Sequence, residues 1–99
     1  MYTLVIQRPA QIDIDEAFIW YEEQSIGLGI RLIEDFDKTA DKIISNPSYA
    51  GKVTNELRGA PLSISPYEIV YITDEKTATI IVIALSHFKR APHWYKKRR

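Results

Sequence analysis

A group of basic and aromatic side chains close to the C-terminus has the clearest capacity for chemistry in this sequence. His87, Arg90 and Trp94 follow one another at short spacing, and Arg58 lies on a neighbouring predicted strand. A guanidinium group binds phosphate or carboxylate through paired N–H donors, while an indole ring packs or stacks beside it. This group is therefore predicted to bind a target. The structural alternative is that Trp94 covers the end of the core and His87 is a hydrogen-bonded rim residue.

Other kinds of chemistry find little support. The carboxylates of the first predicted helix, at 13–16 and 22–23, are expected to form its solvated face, because no apolar pocket is implied that would raise a carboxyl pKa. His87 and His93 alone do not suggest a metal site, since a metal ion needs several converging ligands. The sequence has neither a nucleophile elbow nor a glycine-rich phosphate loop. This reasoning predicts no catalytic residue, no metal site and no cofactor.

Two apolar strands are predicted to carry the basic and aromatic group. Residues 67–73 and 77–86 are rich in β-branched and aromatic side chains, and the charged residues 74–76 between them are turn-like, which predicts an antiparallel hairpin. The second strand is apolar on both faces, so it is expected to lie centrally in the sheet. Simple alternation puts Ile80, Val82 and Ala84 on one face, and Ile81, Ile83, Leu85 and His87 on the other.

The first half of the chain predicts a short strand followed by two helices. Residues 2–7 are the strand candidate, and Pro9 suits the first turn of the next helix, where its missing N–H costs nothing. Apolar residues recur at helical spacing over about 9–25 and again over 28–46. Gly27 between them is predicted to end the first helix in a left-handed conformation. So short a connection implies an antiparallel helical hairpin.

The segment between the helices and the apolar strands is predicted to hold one more strand. Residues 53–57 are the candidate, and residues 59–61 are expected to turn the chain. The order β-α-α-β-β-β results. It predicts an α+β fold in which an antiparallel sheet packs against the N-terminal helical hairpin, and 99 residues suffice for a single domain spanning 1–99.

Composition and charge limit the class of protein. The chain has no cysteine, which excludes disulfides, and no apolar run of the roughly 20 residues that a membrane helix needs, so a cytoplasmic protein is expected. Its net charge is zero, but residues 1–50 hold nine acidic and four basic side chains, and residues 51–99 hold four and nine. This asymmetry indicates either a basic edge for an acidic partner or nucleic acid, or a solvated helix face with a frayed basic tail at 96–99.

Four short motifs occur in a fixed order along the chain. They are Gly27-Leu28-Gly29 in the helical hairpin, the helix end at 43–47, Pro66-Tyr67 before an apolar strand, and the basic and aromatic stretch at 87–94. Their order and spacing resemble the RelE/ParE superfamily of bacterial toxins. The resemblance covers about residues 2–98 and implies the same arrangement of helices and strands.

The resemblance implies the toxin of a type II toxin–antitoxin pair, silenced when its antitoxin wraps it. RelE-like members cut messenger RNA in the ribosomal decoding site, whereas ParE-like members poison DNA gyrase and are not nucleases. Glu68 stands where RelE-like nucleases carry a phosphate-binding arginine, and a carboxylate at that position repels phosphate. The chain is also neutral overall, and Pro66-Tyr67 is typical of ParE-like sequences. These features favour a non-enzymatic gyrase inhibitor.

Candidate binding residues follow from this interpretation. The target is expected to contact the basic and aromatic group together with one tyrosine, namely Arg58, Tyr67, His87, Arg90 and Trp94. The antitoxin is expected on apolar residues that fall off the core stripe of the first helix, namely Ile12, Ile19 and Trp20. The protein is expected to form a toxin–antitoxin hetero-oligomer.

Two alternatives stay open. The first is a ribosome-dependent endonuclease that cuts mRNA, in which His87, Lys89, Arg90 and Tyr95 supply proton transfer and phosphate binding. The second is an inactive relative that only binds its antitoxin and helps to repress their shared operon.

Overall fold

The computed structural model describes residues 1–98, and Arg99 of the predicted basic tail lies outside this description. The elements are β1 (Thr3–Ile6), α1 (Arg8–Gln24), α2 (Leu28–Ser45), β2 (Gly51–Lys52), β3 (Arg58–Pro61), β4 (Tyr67–Asp74), β5 (Thr79–His87) and a final 3-10 turn (Lys96–Arg98). The strands form one sheet in the order β1-β5-β4-β3-β2, and both helices pack on the same face of it. No helix in the described part of the chain is long and apolar enough to cross a membrane.

The predicted α+β architecture is confirmed, while the sheet differs in detail. β1 pairs with β5 in parallel, so the five-stranded sheet is mixed and not wholly antiparallel. The predicted strand at 53–57 is wrong, because this segment is the turn between β2 and β3, closed by the Val53 N–H donating to the Leu57 carbonyl at 2.8 Å. Residues 59–61, predicted as a turn, belong to β3. Gly59 suits that strand because the Glu68 carboxylate lies 2.5 Å from the place a Cβ would occupy.

The corner of the helical hairpin depends on two glycines and one glutamate. Gly27 has a φ of 97°, as its predicted left-handed conformation requires. A carboxylate oxygen of Glu22 accepts the N–H groups of Gly27 at 2.7 Å and Gly29 at 3.0 Å, which satisfies donors that the start of α2 leaves unpaired. Gly29 is buried where the helices cross, and a Cβ there would lie 2.7 Å from the Phe18 ring. Glu22, predicted to be part of a solvated face, is thus a helix cap.

β5 lies between β1 and β4 and is largely buried, as its apolar character predicts. A β-bulge interrupts its pairing with β4, since Val70 pairs with Ala84 and Tyr71 with Val82. Ile83 is the extra residue between the two pairs.

This bulge decides which side chains face the helices. Leu85 packs in the helix-side core with Ile80, whereas Ala84 packs with Ile83 on the opposite face. The predicted alternation is therefore wrong from Ala84 onward, because one extra residue moves every later side chain to the other face. His87 also lies on the helix side, where it lines a cleft beside α1.

A buried acid on α2 holds the loop that leads into β4. The Asp35 carboxylate accepts the N–H groups of Ser63 at 2.9 Å, Ile64 at 3.0 Å and Ser65 at 2.7 Å. Burial by itself raises the pKa of Asp35, but these hydrogen bonds stabilise the charged form more strongly, so the pKa is lowered. The chain is thereby fixed to α2 two residues before Tyr67.

Candidate functional site

A cleft of about 430 Å³ lies between α1 and the ends of β4 and β5. Three predicted target-binding residues, Tyr67, His87 and Arg90, line it together with Trp20, which was predicted to bind the antitoxin. The β-bulge is what brings His87 here, because without it the side chain would point to the opposite face. The cleft therefore brings together three of the five predicted target-binding residues and one of the three predicted antitoxin-binding residues.

Aromatic rings line the floor and wall of this cleft. The rings of Trp20 and Tyr21 lie 5.1 Å apart, those of Tyr21 and Tyr67 6.3 Å, and those of Tyr67 and His87 4.9 Å, each pair edge to face. Burial, and secondarily the neighbouring Tyr21, raise the pKa of the Tyr67 hydroxyl, which stays protonated as a hydrogen-bond donor. Such a surface suits a partner side chain with a flat or apolar body.

Arg90 supplies positive charge at the mouth of the cleft. It is exposed, and its guanidinium carbon lies 3.5 Å from the centroid of the Trp94 ring, in cation–π geometry. Within residues 1–98 its guanidinium makes no ion pair. The turn beneath it is closed by the Arg90 N–H donating to the His87 carbonyl at 3.0 Å. The Lys89 N–H donates to His87 Nδ1 at 3.0 Å, which leaves Nε2 to carry the proton of the neutral ring.

Trp94 is both a core cover and a support for Arg90. Its Nε1–H donates to the hydroxyl of buried Ser86 at 2.9 Å, and its ring packs against Tyr95 at 5.6 Å between centroids. It borders the smaller core on the sheet face opposite the helices. The structural alternative for Trp94 therefore holds, and the same contacts fix the ring on which Arg90 lies.

A second group of titratable side chains occupies that opposite face. Glu68, His93 and Tyr95 surround a small cavity of about 220 Å³ that also reaches Arg90. Burial raises the pKa of Glu68, and the positive charge of His93 counteracts this only in part. Burial and the nearby Glu68 raise the pKa of Tyr95 as well. His93 has a φ of 61° and a buried Nδ1 with no hydrogen-bond partner in the described structure, a combination that sequence reasoning missed.

Arg58 is not part of either group. Its guanidinium donates to the carbonyl oxygens of Ala50 at 2.6 Å and Ser48 at 3.3 Å, which ties β3 to the loop after α2. The same loop accepts a hydrogen bond from the Tyr71 hydroxyl, at the Pro47 carbonyl. Burial raises the pKa of Tyr71 to about 12 despite the adjacent Arg58 charge. Arg58 thus lines a different groove from the one that holds His87 and Arg90.

The three predicted antitoxin-binding residues are exposed on α1. Ile12, Ile19 and Trp20 expose 45%, 56% and 55% of their surface. Ile12 and Ile19 are two helical turns apart and share a face, while Trp20 forms one side of the cleft. We call these three residues the apolar strip of α1, and exposed large apolar side chains on one helix are candidates for contact with a protein partner.

An ion pair across the chain was not predicted. The Arg98 guanidinium donates to both carboxylate oxygens of Asp13, at 2.5 and 3.1 Å. The prediction that Asp13 belongs to a solvated helix face is wrong, and a frayed basic tail, one of the two interpretations of residues 96–99, does not hold for Arg98. The available signal was spacing, since Asp13 lies three residues after buried Ala10 and four before buried Ala17, on the inner side of α1.

Among known proteins, this chain resembles solved structures in its fold but matches none of the sequences compared with it. The sequence matches no protein-family model and no curated protein. A chain of the chromosomal ParDE toxin–antitoxin system from P. aeruginosa superposes with a TM-score of 0.74 at 16% identity, covering 90% of this chain and 98% of that one. The isolated E. coli RelE toxin gives 0.64 at 16%, covering 98% and 95%, and the E. coli RelBE complex gives 0.64 at 17%, covering 91% and 100%. The chain therefore has the α+β fold of the RelE and ParE toxins, as its motifs implied.

Proposed function

We propose that this protein is the toxin of a bacterial type II toxin–antitoxin pair and that it inhibits growth by binding DNA gyrase, without cleaving nucleic acid. The observation that carries the proposal is the Arg90–Trp94 stack at the mouth of the aromatic cleft. An exposed guanidinium held on a ring, beside Tyr67 and Trp20, has the composition of a protein-binding hot spot, where arginine and large aromatic residues contribute most of the free energy.

The surroundings of Arg90 favour a protein target over a nucleic acid. On the adjacent sheet face stands the half-buried carboxyl of Glu68, and Arg98 is neutralised by Asp13. Binding to RNA or DNA draws most of its affinity from several unpaired cations that face phosphates. Lys89, Lys96 and Lys97 are exposed as well, but none of them lines the cleft, where Arg90 stands with the carboxylates of Asp13 and Glu16. The cleft itself therefore supports recognition of one acidic or polar partner group.

A cognate antitoxin is proposed to cover the apolar strip of α1. Ile12 and Ile19 give a helix or an extended segment two apolar contacts one above the other, and Trp20 extends them into the cleft. The solved neighbours include RelE bound to its antitoxin RelB and to a RelB peptide, so antitoxin binding by this fold has a precedent. Because Trp20 lines the same cleft as Arg90, the antitoxin is expected to compete with the target.

The test is a gyrase supercoiling assay run beside a translation extract in which messenger cleavage is mapped. We expect the wild-type protein to stop supercoiling and leave messenger intact. Arg90→Ala is expected to weaken inhibition by about ten- to a hundredfold, as for a binding hot spot. The matched control is Lys76→Ala, which removes one positive charge from the turn at the opposite end of the sheet. Normal supercoiling with codon-phased cleavage would overturn the proposal.

One observation favours the alternative of an mRNA endonuclease acting on the ribosome. Glu68, with its raised pKa, lies close to His93 and Tyr95 around the cavity that Arg90 borders. A carboxyl group and an imidazole are suited to act as general base and general acid, and a guanidinium can bind phosphate. In that case Glu68→Gln and His93→Ala should abolish messenger cleavage. If gyrase is the target, neither substitution should change the inhibition of supercoiling.

A further inference from the structure

β1 covers only part of the outer edge of β5. The last residue of β5 that pairs with β1 is Val82. Beyond it, the Ile83 carbonyl and the Leu85 N–H face α1, and no strand of the described residues pairs with them on that side. Arg98 donates to the Ile83 carbonyl at 3.1 Å, and the Asp13 carboxylate accepts the Leu85 N–H at 3.1 Å. The ion pair between Asp13 and Arg98 thus satisfies the strand edge and joins the C-terminal turn to α1.

The same guanidinium also reaches the ring that carries Arg90. The guanidinium carbon of Arg98 lies 4.5 Å from the centroid of Trp94, and that of Arg90 lies 3.5 Å from it. Two like charges near one ring repel each other unless one is neutralised. Asp13 neutralises Arg98, since the pair is bidentate and the two side chains expose only 23% and 9% of their surface. Arg90 therefore remains the uncompensated cation on Trp94.

We propose that Arg98, held by Asp13, is a positioning residue for Arg90 and acts through the Trp94 ring. A fixed ring keeps Arg90 in its stacked orientation, so less side-chain entropy is lost when the target binds. This inference rests on the proposed function, in which Arg90 contacts the target. It assigns a role to Arg98, which does not line the cleft, and to Asp13, which lines it next to α1.

The first experiment measures affinity for gyrase in single and double variants. Arg98→Ala is expected to weaken binding about three- to tenfold, the cost of one side chain that must be ordered on binding. The control is Lys97→Ala, which removes the same charge from the same exposed turn. In an Arg90→Ala background, Arg98→Ala should have no further effect, because residues that act through one another are non-additive. Additive losses would overturn the proposal.

The second experiment requires no target and therefore separates this inference from the proposed function. We expect ¹⁵N relaxation of the Arg90 Nε–H to show greater disorder in Arg98→Ala and in Asp13→Asn, with an altered Trp94 indole N–H resonance, and no change in Lys97→Ala. Arg98→Lys keeps the charge and the aliphatic stem but lacks the planar guanidinium fork, so we expect the same increase in Arg90 disorder. This variant tests the inference even if Arg98→Ala folds poorly. An Arg90 that stays ordered in Arg98→Lys and Asp13→Asn would refute the positioning role. If gyrase is not the target, this result still decides the inference.

Discussion

Asp35 and Glu68 are partly or wholly buried carboxyl groups with opposite pKa shifts. Asp35 accepts three backbone N–H groups from residues 63–65, which overcome the effect of burial and lower its pKa. No hydrogen bond to the Glu68 carboxylate occurs in the described structure, and burial raises its pKa against the opposing charge of His93. The charged carboxylate of Asp35 thus stabilises the fold, whereas burial disfavours the charged form of Glu68.

The regions around these two residues differ in the same way. At the corner of the helical hairpin, Glu22 is satisfied by two N–H groups, and a glycine adopts the positive φ. In the segment after β5, a histidine adopts the positive φ, its Nδ1 is buried and unpartnered within residues 1–98, and Arg90 has no ion pair there. The contrast concerns charged and strained groups and not every polar atom, because the Thr39 hydroxyl on α2 is also buried without a partner in the described residues. Strained residues and perturbed titratable groups are often found at binding sites. We therefore treat the helical side as the frame and the C-terminal segment as the proposed binding surface.

The largest effect on stability is expected from Asp35→Ala. This change leaves three N–H groups without their charged acceptor and frees the loop before β4, at a cost of about 2–4 kcal/mol. Urea denaturation of this variant and of Asp37→Ala, an exposed acid on the same helix, measures the difference. Equal midpoints for the two variants would show that Asp35 does not support the frame.

Acid titration gives a second measure of Asp35. Its folded pKa lies below the ordinary value of 3.8, so its stabilisation is complete above that pH and is lost as the pH falls through the folded pKa. Asp35→Asn, which does not titrate, should therefore lose less unfolding free energy than the wild type as the pH falls below 3.8. A parallel decline in both proteins would contradict the lowered pKa.

A smaller loss is expected from Gly29→Ala at the helix crossing. The new methyl group would lie 2.7 Å from the Phe18 ring and 2.8 Å from the Glu22 side chain, so the helices must move apart, at about 1–3 kcal/mol. Gly51→Ala is the control, because nothing lies within 4 Å of its Cβ position. Thermal unfolding should separate the two variants, and a Gly29→Ala protein as stable as Gly51→Ala would mean that the crossing is looser than described.

Ser86→Ala should weaken the support of Trp94 by about 1 kcal/mol, because the indole N–H loses its acceptor at a buried site. The matched change is Ser45→Ala at the exposed end of α2. Stability is read from urea denaturation, and the indole N–H chemical shift reports the hydrogen bond directly. An unchanged chemical shift would mean that the Ser86 hydroxyl is not the acceptor of the Trp94 indole N–H, and that Ser86 does not help to fix the ring on which Arg90 lies.

The frame was largely predictable from sequence because local signals determine it. Pro9, Gly27 and the apolar periodicity place the two helices within one or two residues of their observed bounds. The β-bulge at Ile83 has no local signal, since it depends on how β4 and β5 pair. Consequently the sheet face of each β5 side chain was predicted correctly up to Ile83 and wrongly from Ala84 onward.

For the proposed binding surface, the sequence indicated candidate residues but not how they are arranged. His87, Arg90 and Trp94 were selected for their chemistry and Tyr67 through the Pro66-Tyr67 motif, and the fold gathers the four at one end of the sheet. Arg58 shares that chemistry but binds the loop after α2, because β3 begins at this residue and points it toward Ala50. The roles of Asp13 and Arg98 depend on a contact across 85 residues, which a local pattern does not encode.

The smallest effect on stability, and the sharpest test of the contrast, is expected from Glu68→Gln. Because the folded pKa of Glu68 lies above its ordinary value of 4.5, the folded protein holds this proton more tightly, and the unfolding free energy falls as the pH rises through that range. Glutamine removes the buried charge, so the variant should be slightly more stable than wild type at neutral pH, by no more than about 0.5 kcal/mol.

Glu75→Gln, in the exposed turn after β4, is the control for Glu68→Gln and should change neither stability nor its pH dependence. A Glu68→Gln protein that is less stable at neutral pH would mean that the Glu68 carboxylate is stabilised as Asp35 is, which would remove the contrast between the two regions. Growth inhibition by the same variant adds a functional answer. A gyrase-binding toxin should keep its activity, because Glu68 is proposed to contact no target, whereas loss of activity would assign the carboxyl group to catalysis.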